Sequence, residues 1–286
     1  MTMDSTVLRS DLAAGDTGHP LDPLTGAEIE AAAAIVNRSE HATPTLRFVM
    51  IQLAEPEKNA SLTFAGIDVA RRAFLTMYDS AAKTVYEAVV DLGARTIDSW
   101  ISVPGRFPSY LVEHMTGVEE VVRADPRWQE AMRKRGVTDF DLAMVDPWPA
   151  GYYGPEDHYD GSALICRPLT FMRAAPSEHG YARPVEGLIV KFNLDEMKVI
   201  DIEDHGVVPL PPTAGNYTEE FMFDSNNRPA FSQFRDDVKP IEITQPDGPS
   251  FTVDGWKVQW QKWSLRVGFN PREGITLHEV SYTDRG

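Results

Sequence analysis

The 286-residue sequence contains a single cysteine, Cys166, so no disulfide can form within the chain. Cys166 lies among apolar residues in ALICRPL, which indicates a small buried side chain on a strand. The alternative interpretation, a catalytic thiol, would require an activating histidine nearby in space. The first twenty residues lack an apolar run behind a basic segment, so no signal peptide is predicted and a reducing cytoplasm is the expected location.

Long apolar stretches and an excess of positive charge are also missing. No stretch approaches the roughly 18 apolar residues of a membrane-spanning helix, so no membrane partner is expected. The chain has 43 acidic and 27 basic residues, a formal net charge of -16. Because phosphate binding needs clustered lysine and arginine, no nucleic-acid partner is expected either. The one basic cluster, Arg133–Arg135, is predicted to lie at a helix end, where it meets the negative end of the helix dipole.

Common signatures of a catalytic site are absent as well. Seven histidines are present, but no two have the H-x-H, H-x3-H or H-E-x-x-H spacing of a metal site. The sequence has no G-x-S-x-G elbow, phosphate-binding glycine loop or dinucleotide fingerprint. The segment Glu156–Ser162 gathers acidic residues, a histidine and a tyrosine, which would suit an acid–base cluster, but its glycine and its place before a strand favour a polar loop. Residue spacing alone therefore indicates no active site.

A first segment with one helix and four strands follows a polar tail at residues 1–18. Thr25 and Glu28 have the spacing of a capping box, in which each side chain satisfies a backbone donor of the other residue. One apolar face is predicted at helical spacing: Ile29, Ala32, Ala33 and Val36. Strands are predicted in TLRFVMIQLAEP, in RRAFLTMYDSAAKTVYEAVVDL around a turn at Asp79–Ala82, and in ARTIDSWISV.

A second segment of similar size repeats this order. Thr116 and Glu119 have the capping-box spacing again, and Asp125-Pro126 opens a short helix. Trp128, Ala131 and Met132 are predicted to lie on its inner face, and Gly136 to end it. Strands are predicted in SALICRPLTFM, PVEGLIVKFNL and KVIDIED. The fold class is therefore α+β, with two small domains at residues 19–114 and 115–207, each with a helix on an antiparallel sheet.

The last eighty residues have a different character. Residues 208–250 are rich in proline and weakly periodic, as in an extended arm. Residues 251–286 then alternate apolar and polar side chains, with Asp254-Gly255 as a tight turn. This pattern predicts the beginning of a sheet whose apolar face is not covered by any later part of the sequence.

The segment from Lys239 to Tyr282 closely resembles copper-containing amine oxidases. In that family an arm with QPxGPSF leads into strands with W-x-x-W, G-F, R-E-G and L-H, and the matching residues here are Gln245, Pro246, Gly248, Pro249, Ser250, Phe251, Trp260, Trp263, Gly268, Phe269, Arg272, Glu273, Gly274, Leu277 and His278. RPVEGLIV at Arg183–Val190 and GNYT at Gly215–Thr218 are also similar to the family. The resemblance covers the chain from about His19.

The resemblance implies two N-terminal domains like the family's N2 and N3 domains (cystatin-like), an arm, and the first strands of a truncated β-sandwich catalytic domain. The family oxidises primary amines with oxygen and water to aldehyde, ammonia and hydrogen peroxide. It uses a topaquinone made from tyrosine in N-Y-D/E-Y, a copper held by three histidines, and an aspartate base. None of these occurs in this sequence, so no catalytic or metal residue is expected and the chain alone is expected to be inactive. Tyr217 in NYTE lacks the second tyrosine, and His278 is expected to be structural.

The resemblance also suggests three residues for the substrate channel. Tyr181 in GYARP holds the position of an aromatic residue at the channel entrance, and Trp148 and Met115 are further candidates for the same wall. The alternative for all three is ordinary packing. Expected partners are small primary amines, through the full-length enzyme, and a second copy of the chain or a missing catalytic portion. A second function remains open: a non-catalytic α+β interaction module derived from the same family.

Overall fold

The computed structural model describes residues 18–62, 69–151, 163–224, 226 and 234–285. All but the last residue of the predicted tail, and the predicted loop Glu156–Ser162, lie outside these ranges. The described chain forms three antiparallel four-stranded sheets, with helices on the first two. None of its helices is long and apolar enough to cross a lipid bilayer.

The first sheet has the strand order β1-β2-β3-β4, with one helix across a face. Its elements are α1 (Gly26–Asn37), β1 (Leu46–Leu53), α2 (Lys58–Leu62), β2 (Arg72–Asp79), β3 (Thr84–Asp91) and β4 (Thr96–Val103). The capping box is confirmed, since Thr25 Oγ1 accepts from Glu28 N at 3.2 Å and a Glu28 carboxylate oxygen accepts from Thr25 N at 2.7 Å. The predicted buried face was partly wrong: Ile29 is exposed, because the face turned to the sheet is centred on Ala32, Ile35 and Val36.

The second sheet has the order β5-β6-β7-β8. The elements of this part are α3 (Val112–Met115), α4 (Val118–Ala124), α5 (Pro126–Lys134), β5 (Ala143–Pro149), β6 (Ile165–Met172), β7 (Leu188–Asn193) and β8 (Lys198–Asp204). Trp128, Ala131 and Met132 are buried as predicted, and Gly136 follows α5 with φ of 78°. At that left-handed angle glycine carries no steric cost, which suits the end of a helix.

The second capping box was wrong. Thr116 donates its hydroxyl to the Glu113 carbonyl and so ends α3, and Gly117 is the N-cap of α4 with φ of 88°. The Glu119 carboxylate instead accepts from Val145 N at 3.0 Å, which ties α4 to β5. Spacing alone did not distinguish a helix start from the junction of two short helices.

One hydrophobic cluster spans the first two sheets, and a separate cluster lies between α1 and the first sheet. Tyr78 and Val85 from the first sheet are buried in the same cluster as Trp128 and Phe192. Tyr78 Oη donates to Asp195 Oδ1 at 2.7 Å, while Asp195 Oδ2 accepts from Leu164 N at 2.9 Å. This hydrogen bond therefore joins the first sheet to the β7–β8 turn of the second. The domain limits at 114/115, 207/208 and 250/251 stay a prediction.

Replacing Tyr78 with phenylalanine is expected to lower the free energy of unfolding by about 1 to 3 kcal/mol. The ring still fills the core, but the part-buried carboxylate of Asp195 loses its hydroxyl donor. Urea unfolding followed by circular dichroism measures the change. Tyr282→Phe is the control, because Tyr282 is half exposed on the third sheet. Equal unfolding midpoints for both variants would show that the inter-sheet hydrogen bond contributes nothing.

A short helix, α6 (Glu219–Phe223), lies within the arm, and the third sheet follows it. That sheet has the order β12-β11-β10-β9, formed by β9 (Phe251–Asp254), β10 (Lys257–Trp260), β11 (Trp263–Asn270) and β12 (Gly274–Tyr282). The turn at Asp254-Gly255 is confirmed, since Asp254 pairs with Lys257 and Gly255 has φ of 55°.

The two faces of the third sheet have opposite character. One face contacts the first domain through Arg266, whose Nη1 lies 2.5 Å from Asp22 Oδ1. The register places apolar side chains on the other face. We call this the outer apolar face; its exposed residues are Phe251, Val253, Trp260, Trp263, Phe269, Ile275, Leu277 and Tyr282. The sheet is therefore open in the described structure, with its apolar side toward solvent.

Candidate functional site

Two of the three predicted channel residues meet at one carboxylate. Asp146 and Trp148 lie two positions apart on β5, so their side chains leave the same face of the strand. Trp148 Nε1 donates to Asp146 Oδ2 at 2.9 Å, and Tyr181 Oη donates to the same oxygen at 2.6 Å. The structure thus joins an indole and a phenol, 35 residues apart in sequence, through a shared acceptor.

A short 3₁₀ turn, Gly180–Ala182, presents Tyr181 to β5. His179 caps this turn, because its Nδ1 accepts from Tyr181 N at 3.3 Å. Gly180 allows a close approach here: an added Cβ would lie 3.0 Å from the Cβ of Phe171 and 3.4 Å from that of Met144, so these side chains would have to move slightly to accept it. Glycine therefore favours direct packing of the turn on the second sheet.

Aromatic rings continue from Tyr181 to the arm. The ring centroids of His179 and Tyr181 are 4.1 Å apart, and those of His179 and Tyr217 are 5.2 Å apart, both with edge-to-face geometry. A single β-bridge pairs His179 with Gly215 and holds the arm against the turn. Between them lies a cavity of about 440 Å³, lined by His179, Tyr181, Ala182, Pro211, Pro212, Thr213, Ala214, Gly215, Asn216, Tyr217 and Phe221. Its wall is mostly aromatic and apolar.

The charge at this site comes from Asp146. In the described part of the chain, its carboxylate accepts hydrogen bonds from two neutral donors, Trp148 and Tyr181, and both reach Oδ2. The hydrogen bond from Tyr181 to this anion raises the pKa of the Tyr181 phenol, because a phenolate would lose the bond and repel the carboxylate. Trp148 and Tyr181 are 51% and 43% exposed, so the site is open to solvent.

Met115, the third predicted channel residue, lies elsewhere. It ends α3, is half exposed, and is not among the residues that line the cavity beside Tyr181. Tyr217, which the sequence excluded as a cofactor precursor, is 71% exposed and lies against His179. The channel roles of Tyr181, Trp148 and Met115 stay predictions. Asp146 was missed by sequence analysis, although its spacing from Trp148 would have indicated it if β5 had been recognised as a strand.

The donor set of the described residues does not fit a copper ion. Nowhere in these ranges do three side chains of histidine, cysteine, aspartate or glutamate converge. His278 Nε2 lies 3.0 Å from Thr276 Oγ1 and 3.9 Å from Glu55, and His19 Nδ1 accepts from Leu21 N. Cys166 is fully buried, and burial raises the pKa of its thiol to about 12, which disfavours a nucleophilic thiolate.

The described residues define an α+β chain of antiparallel sheets with an aromatic recess beside a carboxylate. Comparison with protein families specifies the class. Models for copper amine oxidases match the chain in order along the sequence: the N2 domain at residues 19–103, the N3 domain at residues 113–221, and the enzyme domain at residues 252–286.

Individual relatives agree with these matches. The chain is 39% identical over 269 residues to a primary amine oxidase of Arthrobacter sp., covering 94% of this chain and 39% of that protein. It is 37% identical to a peroxisomal N-methylputrescine oxidase 1 of Nicotiana tabacum, covering 94% of this chain and 38% of that protein. A copper-containing benzylamine oxidase from Hansenula polymorpha shares the fold, with a TM-score of 0.73 at 20% identity, over 93% of this chain and 42% of that one.

This chain belongs to the copper amine oxidase family and corresponds to the N-terminal portion of its members. The α+β fold class expected from the sequence is confirmed by the same matches. The chain spans about two-fifths of the length of the relatives that it matches.

Proposed function

We propose that the chain is the N-terminal part of a copper- and topaquinone-dependent enzyme that oxidises primary amines to aldehydes, ammonia and hydrogen peroxide. The observation that supports this most is the ordered match of three copper amine oxidase domains along one chain. In this proposal, copper and topaquinone are supplied by sequence that the chain does not contain. The chain by itself does not catalyse the reaction.

The contribution of the chain's own residues would be substrate access. Tyr181 and Trp148, fixed by hydrogen bonds to Asp146, would form part of an aromatic wall that a primary amine passes on its way to the catalytic domain. Met115 ends α3 and does not line the cavity beside Tyr181, so it would form a separate part of the channel wall. Cytoplasmic location and assembly with a second copy, or with a separate catalytic portion, belong to the same proposal.

The purified chain is expected to hold no stoichiometric copper and no quinone after incubation with Cu²⁺ in air. The described residues offer no three-ligand cluster, and tight copper binding needs several nitrogen, sulfur or oxygen ligands at once. Elemental analysis after gel filtration and reaction with phenylhydrazine measure metal and quinone, with a full-length family member treated in parallel as the positive control. One firmly held copper per chain would overturn the proposal that this chain is inactive alone.

One observation favours the second candidate, a non-catalytic α+β interaction module. One buried cluster spans the first two sheets and a hydrogen bond joins them, which supports a unit that folds without further sequence. This candidate predicts a stable and monodisperse protein, which sedimentation velocity and thermal unfolding test.

A further inference from the structure

We propose that His19, Asp22, Arg266 and Glu279 form an acid-sensitive latch between the first domain and the third sheet, and that protonation of His19 releases it. Release would separate the polar face of the third sheet from the first domain. The inference concerns a conformational change of the chain itself, so it goes beyond the proposed enzymatic function and does not depend on it.

The third sheet contacts the first domain without an apolar core. None of its described residues belongs to either buried hydrophobic cluster or packs against one. Among residues 251–285, Gly268 alone is buried. Because burial of apolar surface contributes little to such a contact, its strength depends on the polar and charged groups between the two parts.

The four latch side chains supply those charges. Arg266 Nη1 lies 2.5 Å from Asp22 Oδ1, and Arg266 Nε lies 3.9 Å from Glu279 Oε2. His19 Nε2 lies 3.4 Å from Glu279 Oε1. The exposed fractions of the four side chains lie between 11% and 25%, so water and salt screen them only partly. A change of charge on one of them therefore acts on the other three.

Arg71 fixes the first-domain half of the latch. Its guanidinium donates to the backbone carbonyls of Pro20, Asp22 and Pro23 at 2.8 to 3.1 Å, and its Nε lies 2.7 Å from Glu28 on α1. The segment that contains His19 and Asp22 is thus tied to the first domain. The latch opens where these two side chains meet the third sheet.

A β-bulge fixes the half that belongs to the third sheet. Ser264 pairs with Ser281 but Arg266 pairs with His278, so β12 has one extra residue in this interval. Glu279 lies in the bulge with φ of 50°, an angle that favours glycine. Regular alternation after the inward-facing His278 would turn Glu279 toward the outer apolar face. The bulge instead brings its carboxylate to His19 and Arg266.

The hydrogen bonds of His19 require a neutral ring. Leu21 N donates to His19 Nδ1 at 3.3 Å, so the hydrogen of the neutral imidazole is on Nε2, toward Glu279. A second proton would bind Nδ1, where it would remove the acceptor for Leu21 N. It would also place a positive charge in a mostly buried position near Arg266.

The charges around His19 have opposing effects, and their sum gives the direction of the pH response. Burial, and after it the positive charge of Arg266, lowers the pKa of His19; Glu279 and Asp22 oppose this change, and Lys257 adds to it. In the released state the ring is solvated, with an ordinary pKa of about 6.5. The released state therefore binds the proton more readily. Attachment is strongest above about pH 6.5 and weakens as the pH falls below that value, by at most about tenfold per pH unit.

Single-molecule FRET on the whole chain tests the proposal, because molecules observed one at a time cannot self-associate. Ile101→Cys on β4 and Thr283→Cys after β12 place one dye on each side of the latch at exposed positions, while Cys166 is fully buried and stays unlabelled. From about pH 7.5 to about pH 5.5, we expect the ratio of released to attached molecules to rise several-fold, with a limit of about tenfold, and to return at neutral pH.

His19→Gln separates the latch from other effects of acid. Glutamine can still donate to Glu279 but does not titrate in this range, so the released fraction is expected to be equal at both pH values. His278→Gln is the matched control: His278 lies on the same face of the sheet, 3.9 Å from Glu55, and this variant should respond to acid as the unaltered chain does. Asp22→Asn should increase the released fraction at both pH values, because Arg266 loses its carboxylate.

Circular dichroism of each variant shows whether the first two sheets remain folded, and an NMR titration of the histidine rings gives the pKa of His19 directly. A pKa at or above about 6.5 would contradict the latch. So would an unaltered chain whose released fraction does not change with pH, or a His19→Gln variant that keeps the full acid response. None of these results bears on the copper and quinone measurements.

Discussion

Replacing Arg135 with alanine is expected to lower the free energy of unfolding by about 2 to 4 kcal/mol, a large part of the stability of a typical domain. The side chain has no exposed surface and donates to Asp204 Oδ1 at 2.8 Å. It also donates to four backbone carbonyls, those of Ala131, Glu186, Gly187 and Gly206. Alanine would remove all these bonds together with the packing of a fully enclosed side chain, and the carbonyl of buried Ala131 would lose its side-chain donor.

Two further substitutions separate charge from geometry at this position. Arg135→Lys keeps the charge but cannot present five donors in a fixed planar fork, so an intermediate loss is expected. Arg133→Ala, on the same helix end, is the control: Arg133 is half exposed and lies 3.8 Å from Glu130, so its loss should cost less than about 1 kcal/mol. Urea denaturation of all three variants measures the differences. If Arg135→Ala unfolds at the same urea concentration as Arg133→Ala, the buried network has no role in stability.

The Asp204 carboxylate, which pairs with Arg135, should make the free energy of unfolding depend on pH. The hydrogen bond from Arg135 holds the pKa of Asp204 below its ordinary value. A depressed pKa in the folded state means stabilisation that is present above the unfolded pKa of about 3.9 and is lost as the pH falls through the folded value. Asp204→Asn should therefore be less stable than the unaltered chain at pH 7, and the difference should shrink below about pH 4. A difference that stays constant between pH 7 and pH 3 would contradict this linkage.

The same basic cluster shows what sequence can predict and what it cannot. Arg133 and Lys134 lie in the last turn of α5, as the position after an amphipathic run predicts. Arg135, the next residue, is instead buried against Gly187 and Gly206. An added Cβ on Gly187 would lie 2.7 Å from the Gly206 carbonyl oxygen, so the two segments meet closely only with glycine there. That convergence of three distant segments is a tertiary property, and no local pattern carries it.

The candidate site was only partly predictable, because it too is formed by segments that are distant in sequence. Tyr181 and Trp148 came from a family resemblance, and the structure shows that one carboxylate joins them. Strand β5 was missed because Pro147 and Pro149 argue against a strand; in the structure β5 is the edge of its sheet, where proline is tolerated. Because β5 was not predicted as a strand, nothing in the sequence indicated that the side chains of Asp146 and Trp148 leave the same face.

By contrast, the alternation of apolar and polar residues was sufficient to predict the strands of the third sheet. Residues that alternate between Phe251 and Phe269 lie on one side of it, and the turn at Asp254-Gly255 sets the register. The strongest local signals, alternation and a glycine turn, agreed with each other in this segment, so the pairing followed from them. The structure adds that the opposite, polar side of the sheet contacts the first domain through Arg266 and Asp22.

The purified chain is expected to self-associate through the outer apolar face and to elute from a gel-filtration column above the 31.9 kDa of a monomer. Trp260 and Trp263 are 50% and 43% exposed on neighbouring strands, so together they offer on the order of 200 Å² of apolar surface. At roughly 25 cal/mol per Å², covering that area contributes about 5 kcal/mol to association. These two rings are part of the larger outer apolar face, and an extended exposed apolar patch is a recognised cause of association.

Replacing both tryptophans with threonine, which keeps β propensity, is therefore expected to raise the dissociation constant by more than about a thousandfold and to give a monomer. The control is the pair Ile101→Thr and Val112→Thr, which removes two apolar side chains that are 55% and 80% exposed outside the third sheet. Sedimentation velocity at several protein concentrations measures the distribution. A monodisperse monomer for the unaltered chain, with a single cooperative thermal transition, would instead favour the non-catalytic interaction module, because such a protein needs no partner to cover Trp260 and Trp263.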